Sequence, residues 1–425
     1  MTNSTGLEPD IALAERLFAA LRAETAQGRG IVRDSYGRGE EAAHAIIAEA
    51  AAALGLETAR DAALNLYMTL PGRDRAAPAL LMGSHLDSVP QGGNYDGAAG
   101  VVAGLAALSA LSQAGLVPAH DLTVMGIRAE EAAWFDGSYL GSNAAFGLLP
   151  AAQYDTIRRS DTGRSLAQHM AECGADVAAL RRGEAYLSPA RLRGFIELHI
   201  EQGPVLEGAE IPVGIVTGIR GCRRFRNARC RGAYGHSGAE PRAHRQDAVA
   251  ATVTLIRALE RAWEAEEAEG GDLTFTVGEL YTNPALHGPS KIAGETSFVL
   301  DFRSIDDATM VKIRDLALRL AEKTGQRFRV RFGLGDELVS APALLDRMMH
   351  QRFTALAERL DITTLAMASG AGHDASVFAN LGIPSGMLFV RNAHGSHNPD
   401  EAMAIEDFAA ATRILLAYLI EETAA

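Results

Sequence analysis

One stretch of the chain, LLMGSHLDSVPQGGNYDGAAG at residues 80–100, restricts the possible folds most strongly. Its apolar start predicts a buried strand that ends just before His85, and its last residues open an apolar helix that runs to about residue 108. Open α/β sheets place their sites in such loops, beyond the carboxyl ends of the strands. The stretch therefore predicts an α/β fold with a site at this loop.

Three residues of this loop carry side chains suited to metal chemistry. His85 and Asp96 are residue types that ligate first-row metals, and Asp87 is spaced to orient the His85 imidazole as a hydrogen-bonding carboxylate. The same pattern also fits a polar loop in which Asp96 caps the following helix. The loop alone leaves both interpretations open.

Size and charge exclude several classes of protein. At 425 residues the chain is longer than one ordinary domain, so we expect two. Its 40 basic and 53 acidic residues give a formal charge of −13, which argues against nucleic-acid binding. No apolar run reaches the roughly 18 residues of a membrane span. The N-terminal residues lack the pattern of a signal peptide, and the three cysteines show no CxxC spacing, so we expect a cytoplasmic protein with reduced thiols.

The order of the predicted elements divides the chain into three segments. In residues 1–216 and 334–425, strands alternate with helices, which predicts a mostly parallel sheet with covered faces. Residues 217–333 instead read βαββαβ, the order of a ferredoxin-like module. The predicted elements of this inserted module are strands 220–233, 272–281, 294–303 and 328–332 and helices 245–267 and 306–324.

The inserted module begins with a cluster of arginines on its first predicted strand. We interpret them as a solvated strand surface in an acidic protein rather than as an anion-binding face. The cluster consists of Arg220, Arg223, Arg224, Arg226, Arg229 and Arg231.

Further candidate ligands follow other predicted strands. Glu130 and Glu131 come after the apolar run LTVMGIR, and adjacent carboxylates fit a site in which one ligates a metal and the other takes a proton from water. A surface acidic pair is the alternative. In FIELHIEQG, period-2 alternation places Glu197, His199 and Glu201 on one face of a strand, which suits His199 as a ligand better than as a core histidine.

The last two candidate loops lie near the C-terminus. MLFV runs into RNAHGSHNPDE, which carries His394 and His397, and SGAGHDA supplies His373. SGAGHDA also matches the GxGxxA dinucleotide fingerprint, but no acidic residue follows about 20 positions later at a second strand end. YGHSGA lacks the final glycine of GxSxG. Strand ends that all finish in metal-ligand residue types therefore favour a metal site over these alternatives.

The sequence resembles the M20 metallopeptidase superfamily, and most of all its branch of N-carbamoyl-L-amino-acid hydrolases, β-ureidopropionases and allantoate amidohydrolases. The resemblance spans about residues 10 to 420. The motifs that carry it are GSHLDSVPQGGNYDGAAG, AEE with GSNAAFG, ELHIEQGPVLE, GHSGAEPRAHRQDA, SGAGHDA and GSHNPDE.

The resemblance implies a centre of two divalent metal ions, either zinc or manganese, cobalt or nickel. It assigns His85 and His199 to one ion, Glu131 and His397 to the other, and Asp96 as the bridge. Glu130 is then the general base, which moves a proton from the bridging water to the leaving nitrogen. Asp87 orients His85.

The resemblance also assigns residues to the substrate. Gln202 and His373 match positions that contact substrate, and His236 matches a histidine that stabilises the oxyanion. Arg303 matches an arginine that binds the substrate carboxylate. The inserted domain is implied to act as a lid and as the contact of a homodimer.

Two departures from the branch concern the substrate. Ala132-Ala133-Trp134-Phe135 replaces a GSRF-like sequence, and Ser290 stands where the branch commonly has Asn. We therefore expect an intact catalytic core with an altered substrate pocket. The predicted function is hydrolysis of a linear C–N bond in an N-carbamoyl-L-amino acid or a similar ureido acid. The alternatives keep the mechanism and change the substrate to an N-acyl or conjugated amino acid amide, or to allantoate.

Overall fold

The computed structural model describes residues 6–424, which form two compact units. One unit contains the described residues up to Thr217 and those from Leu344 onward, and the other contains Gly218–Ala343. The first unit is thus built from two separate parts of the chain.

The strands of the first unit are β1 (Ala26–Gln27), β2 (Gly30–Ile31), β3 (Glu57–Arg60), β4 (Leu66–Leu70), β5 (Ala79–His85), β6 (Leu122–Ile127), β7 (Leu192–Ile200) and β8 (Val213–Ile219). Those of the second unit are β9 (Gly221–Arg231), β10 (Gly235–His236), β11 (Thr274–Thr276), β12 (Leu280–Thr282), β13 (Lys291–Ile292), β14 (Glu295–Ser304), β15 (Arg331–Gly333) and β16 (Glu337–Ser340). β17 (Ala343–Leu344), β18 (Thr364–Ser369) and β19 (Ser385–Val390) follow.

The helices before the second unit are α1 (Ile11–Thr25), α2 (Arg38–Ala53), α3 (Ala98–Gln113), α4 (Leu140–Ala145), α5 (Gln153–Thr156), α6 (Leu166–Glu172), α7 (Val177–Arg181) and α8 (Val205–Ala209). The second unit contains α9 (Ala248–Ala268) and α10 (Asp307–Phe328), and the chain continues with α11 (Arg347–Arg359), α12 (Ala375–Asn380) and α13 (Ile405–Ala424).

The first unit is organised on a mixed sheet with the strand order β17-β8-β19-β7-β5-β6-β4-β3, in which β18 pairs with β8. The four central strands, β19, β7, β5 and β6, pair in parallel. β4 and β3 on one side and β8 on the other pair antiparallel. The prediction of a mostly parallel sheet is correct for the centre and wrong for the flanks, where short connections return the chain in the opposite direction.

The parallel centre places four strand ends at one edge of the sheet. β5, β6 and β19 are buried almost throughout, as expected for strands covered on both faces. They finish at His85, Ile127 and Val390, and β7 finishes at Ile200. The loops that carry the candidate ligands therefore leave the sheet side by side.

Helix α3 packs tightly against this centre, which explains its run of small residues. Every residue from Ala98 to Leu111 is buried. A Cβ atom at Gly100 would lie 2.3 Å from the Leu198 carbonyl oxygen. Gly97, which precedes the helix, has φ +66, and a Cβ there would lie 2.5 Å from the His85 ring. Both glycines let the helix and its entry loop approach the strand ends closely.

The second unit contains an antiparallel sheet with the strand order β11-β14-β9-β15. In addition, β12 pairs with β14 and β16 pairs with β9. Helices α9 and α10 pack on it through an apolar cluster that includes Phe225, Leu255, Phe298 and Ile313. The predicted βαββαβ order is present in the described residues. The predicted strand at 328–332 starts too early, because α10 continues to Phe328 and β15 covers only Arg331–Gly333.

Part of the arginine cluster on β9 is neutralised within the second unit. Arg220 pairs with Asp272, Arg224 with Asp301, and Arg223 with both Asp307 and Glu337. Arg226, Arg229 and Arg231 are exposed. This arrangement fits a charged strand surface.

Other differences concern elements whose sequence signal is weak. The strand β8 was not predicted as a separate element, and residues 140–192 form four short α-helices and one 3-10 helix. Helix α11 begins at Arg347, where the Asp346 side chain caps it by accepting from the Met349 N–H at 2.8 Å. Among residues 6–424, no helix is both long and apolar enough to cross a membrane.

His44 on α2 makes the stability of the fold sensitive to acid. Its side chain is fully buried. Burial, and then the charges of Arg128 and Arg60, lower the pKa of His44 well below its usual value. The folded state therefore holds the neutral ring, while the unfolded chain takes up a proton below pH about 6.5.

We predict that His44→Leu reduces the loss of stability in acid. In the unsubstituted protein this histidine should cost about 1.4 kcal/mol of unfolding free energy for each pH unit below about 6.5. Denaturant titrations at pH 8.0 and 5.5 measure the difference. The control is His244→Leu at an exposed position, and equal pH dependence in the His44→Leu and unsubstituted proteins would contradict the prediction.

Candidate metal centre

His85 lies at the end of β5 with its two ring nitrogens in different surroundings. Nδ1 is 3.1 Å from the Asp87 carbonyl oxygen and 3.3 Å from Asp87 Oδ1. Two acceptors on this side favour a proton on Nδ1, which leaves the Nε2 lone pair directed at Asp96, whose Oδ1 is 3.5 Å away. The geometry is that of an imidazole oriented for ligation.

His199 on β7 repeats this arrangement from the neighbouring strand. Its Nδ1 is 2.9 Å from the Ile200 carbonyl oxygen, and its Nε2 is 3.2 Å from Asp96 Oδ1 and accepts from the Gly97 N–H at 3.1 Å. The Nε2 atoms of His85 and His199 are 3.4 Å apart. The alternation predicted for β7 is confirmed, because Ile196, Leu198 and Ile200 belong to the apolar core on its other face.

The second oxygen of Asp96 faces a second group of candidate ligands. His397 Nε2 lies 3.4 Å from Asp96 Oδ2 and 3.3 Å from Glu131 Oε1. Asp96 thus directs one oxygen toward His85 and His199 and the other toward His397 beside Glu131. This arrangement allows one carboxylate to bridge two cations.

These residues fit divalent metal ions. Asp96 Oδ1 and Glu131 Oε1 are buried, and their nearest polar neighbours are the Nε2 atoms of His85, His199 and His397. Imidazole nitrogens and carboxylate oxygens that converge in this way are the ligand types of first-row divalent metals. Ligand atoms about 2.1 Å from a tetrahedral zinc lie about 3.4 Å from one another. The observed separations of 3.2–3.5 Å match this spacing.

The charges of the site shift the titration of its members. Although burial opposes it, contacts with His199, His397 and His85 hold the pKa of Asp96 well below its usual range. Hydrogen bonds to Asp96 and Glu131 raise the pKa of His397 to about 10. The negative charge of the carboxylates favours protonation of the histidines in this site. The same negative charge attracts divalent cations.

Glu130 is buried beside the candidate ligands but does not join their closest contacts. Its Oε2 is 3.9 Å from His85 Nε2. Burial raises the pKa of Glu130 well above its usual value, and Glu131 and Asp374 add to the rise while His85 opposes it. A buried carboxylate with a raised pKa beside these groups marks Glu130 as a candidate for acid–base chemistry.

Asp87 connects His85 to the Glu130–Glu131 pair. In addition to its contact with His85, its Oδ1 accepts from the Glu130 N–H at 3.1 Å and its Oδ2 from the Glu131 N–H at 3.2 Å. Ala129, which precedes the pair, has φ +50, and its N–H donates to Glu40 Oε1 at 2.8 Å. Glu40 in turn forms a buried ion pair with Arg128 at 3.1 Å.

The structure also places Gln202 and His373 in the first unit. Gln202 Nε2 donates to Asp96 Oδ2 at 2.8 Å, so its amide already contacts a candidate ligand. Its Oε1 is buried without a hydrogen-bond partner within residues 6–424. The ring of His373 lies with its centroid 4.5 Å from that of His199, and His373 Nε2 is 2.9 Å from Ser369 Oγ.

His236, Ser290 and Arg303 belong to the second unit. His236 is exposed, and its Nδ1 accepts from the Gly238 N–H at 3.1 Å. The Ser237 N–H donates to the Ser290 carbonyl oxygen at 3.0 Å, so the His236 and Ser290 segments are neighbours. Arg303 Nε donates to Asp301 Oδ1 at 3.2 Å.

Several residues around the ligands were not predicted. Glu401 accepts from the Tyr95 N–H at 2.9 Å and from Ser396 Oγ at 2.6 Å, and Ser396 also contacts Asp96. Glu197 accepts from Ser84 Oγ at 2.7 Å and from the Ala375 N–H at 2.8 Å. Ser396 and Glu401 lie within the GSHNPDE motif, and Glu197 lies within FIELHIEQG. The motifs therefore marked these positions, but the sequence did not indicate which residues they contact.

The histidines and carboxylates at the strand ends of this α/β sheet form groups that could hold a metal ion. The model of peptidase family M20/M25/M40 matches residues 81–421. The chain belongs to this family, and the predicted relationship is confirmed.

Named relatives and solved structures agree with this membership. An N-carbamoyl-L-amino-acid amidohydrolase of Paenarthrobacter aurescens is 34% identical over 412 residues, covering 95% of this chain and 97% of that protein. An allantoate amidohydrolase of Escherichia coli (strain K12) is 32% identical over 378 residues, covering 87% of each. A hydantoinase/carbamoylase family amidase from Burkholderia ambifaria has a TM-score of 0.87 at 28% identity, covering 98% of this chain and 97% of that one.

The family, the names of these relatives and the cluster of candidate ligands bear out the prediction of a metal-dependent amidohydrolase. Such enzymes hydrolyse C–N bonds other than peptide bonds in linear amides.

Proposed function

We propose that this protein hydrolyses an N-carbamoyl-L-amino acid, or a similar ureido acid, at a centre of two divalent metal ions. The observation that carries the proposal is Asp96, which directs one oxygen toward His85 and His199 and the other toward His397 beside Glu131. The names of the amidohydrolases that resemble it over nearly the whole chain support the carbamoyl group as the target.

The proposed centre assigns each ion its own ligands. His85 and His199 would hold one, Glu131 and His397 would hold the other, and Asp96 would contribute a carboxylate oxygen to each. Imidazole and carboxylate ligands accept zinc, manganese, cobalt or nickel. When bound, the ions act as Lewis acids that polarise the carbamoyl carbonyl and make water more acidic.

Glu130 is the proposed general base. It takes a proton from the attacking water and gives it to the departing nitrogen, so the same carboxylate serves in both halves of the reaction. Water adds to the carbamoyl carbon and one of its two C–N bonds breaks, which releases one amine and leaves a carbamate. The carbamate then loses carbon dioxide as its remaining C–N bond breaks, so the products are ammonia, carbon dioxide and the free amino acid. Asp87 holds His85 on one side and the backbone of the Glu130–Glu131 pair on the other.

Substrate contacts are proposed for five residues by the resemblance of their motifs. Gln202 and His373 lie beside the candidate ligands in the first unit. His236, Ser290 and Arg303 come from the second unit. In the proposal, His236 donates a hydrogen bond to the oxyanion, and Arg303 binds the carboxylate of the substrate. We further propose that segment 217–333 acts as the lid and homodimer domain between catalytic segments 1–216 and 334–425.

We predict that Arg303→Ala raises KM for a carboxylate-bearing substrate about 10- to 100-fold with little change in kcat. A charge-assisted hydrogen bond to a bound carboxylate contributes about 1.5–3 kcal/mol, and this contact is remote from the bond that breaks. Steady-state kinetics measure the effect. Arg226→Ala, at an exposed position on β9, is the matched control, and a normal KM in Arg303→Ala would refute the carboxylate contact.

A panel of substrates tests the proposed function. Metal-loaded protein is given N-carbamoyl amino acids, N-acyl amino acids, an amino acid amide conjugate and allantoate, and both ammonium and free amino acid are measured. Equal release of ammonium and amino acid from N-carbamoyl substrates supports the proposal. If only the N-acyl substrates are hydrolysed, with release of free amino acid and no ammonium, the acyl-amide alternative is correct. If only allantoate is hydrolysed, allantoate is the substrate.

A further inference from the structure

Trp134 stands in the segment Ala132-Ala133-Trp134-Phe135, which departs from the related branch, and the structure buries most of its side chain. It is only 8% exposed and packs with Phe135, Leu140 and Leu149 in an apolar cluster. Its one polar atom is satisfied, because Nε1 donates to the Ser88 carbonyl oxygen at 2.7 Å. The side chain thus contacts the residue that follows Asp87.

Arg159 covers the indole from the other side. Its guanidinium carbon lies 4.9 Å from the ring centroid of Trp134, and its side chain is 5% exposed. Nη1 donates to the Ser35 carbonyl oxygen at 3.2 Å, and Nη2 pairs with Asp34 at 2.6 Å. Arg159 therefore fixes the segment around residues 34 and 35 against the same indole that holds Ser88.

These two attachments meet at Asp87. Ser35 Oγ donates to Asp87 Oδ2 at 2.6 Å. Ser88 is joined to the preceding segment by two further hydrogen bonds, from its N–H to the Arg33 carbonyl oxygen at 2.9 Å and from the Arg33 N–H to its Oγ at 3.0 Å. Two sets of contacts therefore restrain the Asp87 carboxylate. One acts through the backbone of the adjacent Ser88, and the other is the hydrogen bond from the Ser35 hydroxyl.

We propose that Trp134 and Arg159 are positioning residues that, through Ser88 and Ser35, hold Asp87 against His85 and the backbone of the Glu130–Glu131 pair. Asp87 accepts from both N–H groups of that pair and lies 3.3 Å from His85 Nδ1. A small rotation of Asp87 would therefore displace Glu130, Glu131 and the His85 imidazole together. The replacement at 132–135 then supports the catalytic residues in this chain.

This inference rests on the proposed function for its effect on turnover, but not for its effect on metal binding. Residues that orient ligands typically change metal affinity or activity by about 10- to 100-fold when they are altered. A purely structural tryptophan would lower the midpoint of thermal unfolding and leave the metal affinity of the folded protein unchanged. The two roles are therefore separable by measurement.

The test uses Trp134→Phe, which keeps an aromatic ring under Arg159 and removes only the indole donor, and Ser35→Ala, which removes the hydroxyl that contacts Asp87. Zinc affinity is measured by chelator competition on the full chain, together with kcat, KM and thermal unfolding. Trp263→Phe is the matched control, because Trp263 lies on α9 and its Nε1 has no hydrogen-bond partner within residues 6–424.

We expect each variant to bind zinc about tenfold more weakly and to lose about tenfold in kcat with KM nearly unchanged. Because both act through Asp87, the double variant should lose less than the product of the two single effects. Unchanged zinc affinity in both single variants, or an equal loss in Trp263→Phe, would overturn the inference. If the unsubstituted protein binds zinc but hydrolyses none of the substrates, the proposed function fails and the zinc measurements still decide this inference.

Discussion

Glu130→Gln is expected to lower kcat by about 10²- to 10⁴-fold, the usual contribution of a general acid or base, while the protein keeps its full complement of metal. The amide has nearly the shape of the carboxylate but cannot take a proton from water. Glu130 lies 3.9 Å from His85 Nε2, outside the closest contacts among the candidate ligands, so its neutralisation should leave those ligands in place. Turnover of the metal-loaded protein and metal content by mass spectrometry measure the two effects.

Glu131→Gln is the informative comparison, because it alters the adjacent residue in the same way. Glu131 Oε1 faces His397 Nε2 at 3.3 Å, so the amide should weaken metal binding, and excess metal should partly restore turnover. Excess metal should not restore Glu130→Gln. Turnover within tenfold of normal in Glu130→Gln would remove it as the base, and loss of metal in that variant would make it a ligand.

His199→Ala is expected to weaken binding of one metal ion by more than about 100-fold, since removal of a direct ligand should exceed the effect of altering a residue that only orients one. Two Nε2 atoms 3.4 Å apart, with Asp96 Oδ1 within 3.5 Å of each, form half of the proposed centre. Without His199, only His85 and Asp96 remain on that side.

His373→Ala is the control for His199→Ala. Both rings are buried and their centroids lie 4.5 Å apart, but His373 Nε2 faces Ser369 Oγ at 2.9 Å instead of Asp96. We expect His373→Ala to keep its metal. Metal titration by calorimetry compares the two variants, and equal affinity in His199→Ala and the unsubstituted protein would count against His199 as a ligand.

The sequence carried much information about the location of the candidate ligands. His85 ends an apolar strand pattern, Asp96 comes just before the apolar helix that follows it, and His199 lies near the end of an alternating strand. Neighbouring parallel strands finish at one edge of a sheet. Local patterns therefore sufficed to predict that these residues lie close together. Their assignment to particular metal ions depends on the family resemblance and stays a prediction.

The surroundings of the ligands could not be predicted in the same way. Ser35 contacts Asp87 from 52 positions away, and Trp134 contacts Ser88 from 46 positions away. No periodicity marks a hydrogen bond between distant loops, so Trp134 could be singled out beforehand only as a departure from the related branch. The antiparallel flanks of the sheet were missed for a similar reason, since the direction of a strand depends on a connection whose path has no apolar signal.

The most direct test of the account is a titration of metal-free protein with Mn²⁺ while ammonium release from an N-carbamoyl-L-amino acid is followed. The account predicts no turnover without metal, a rise in turnover that ends at two equivalents per chain, and two bound ions by native mass spectrometry. Equal turnover with and without metal, or full turnover at one equivalent with only one ion bound, would contradict the proposed dinuclear centre.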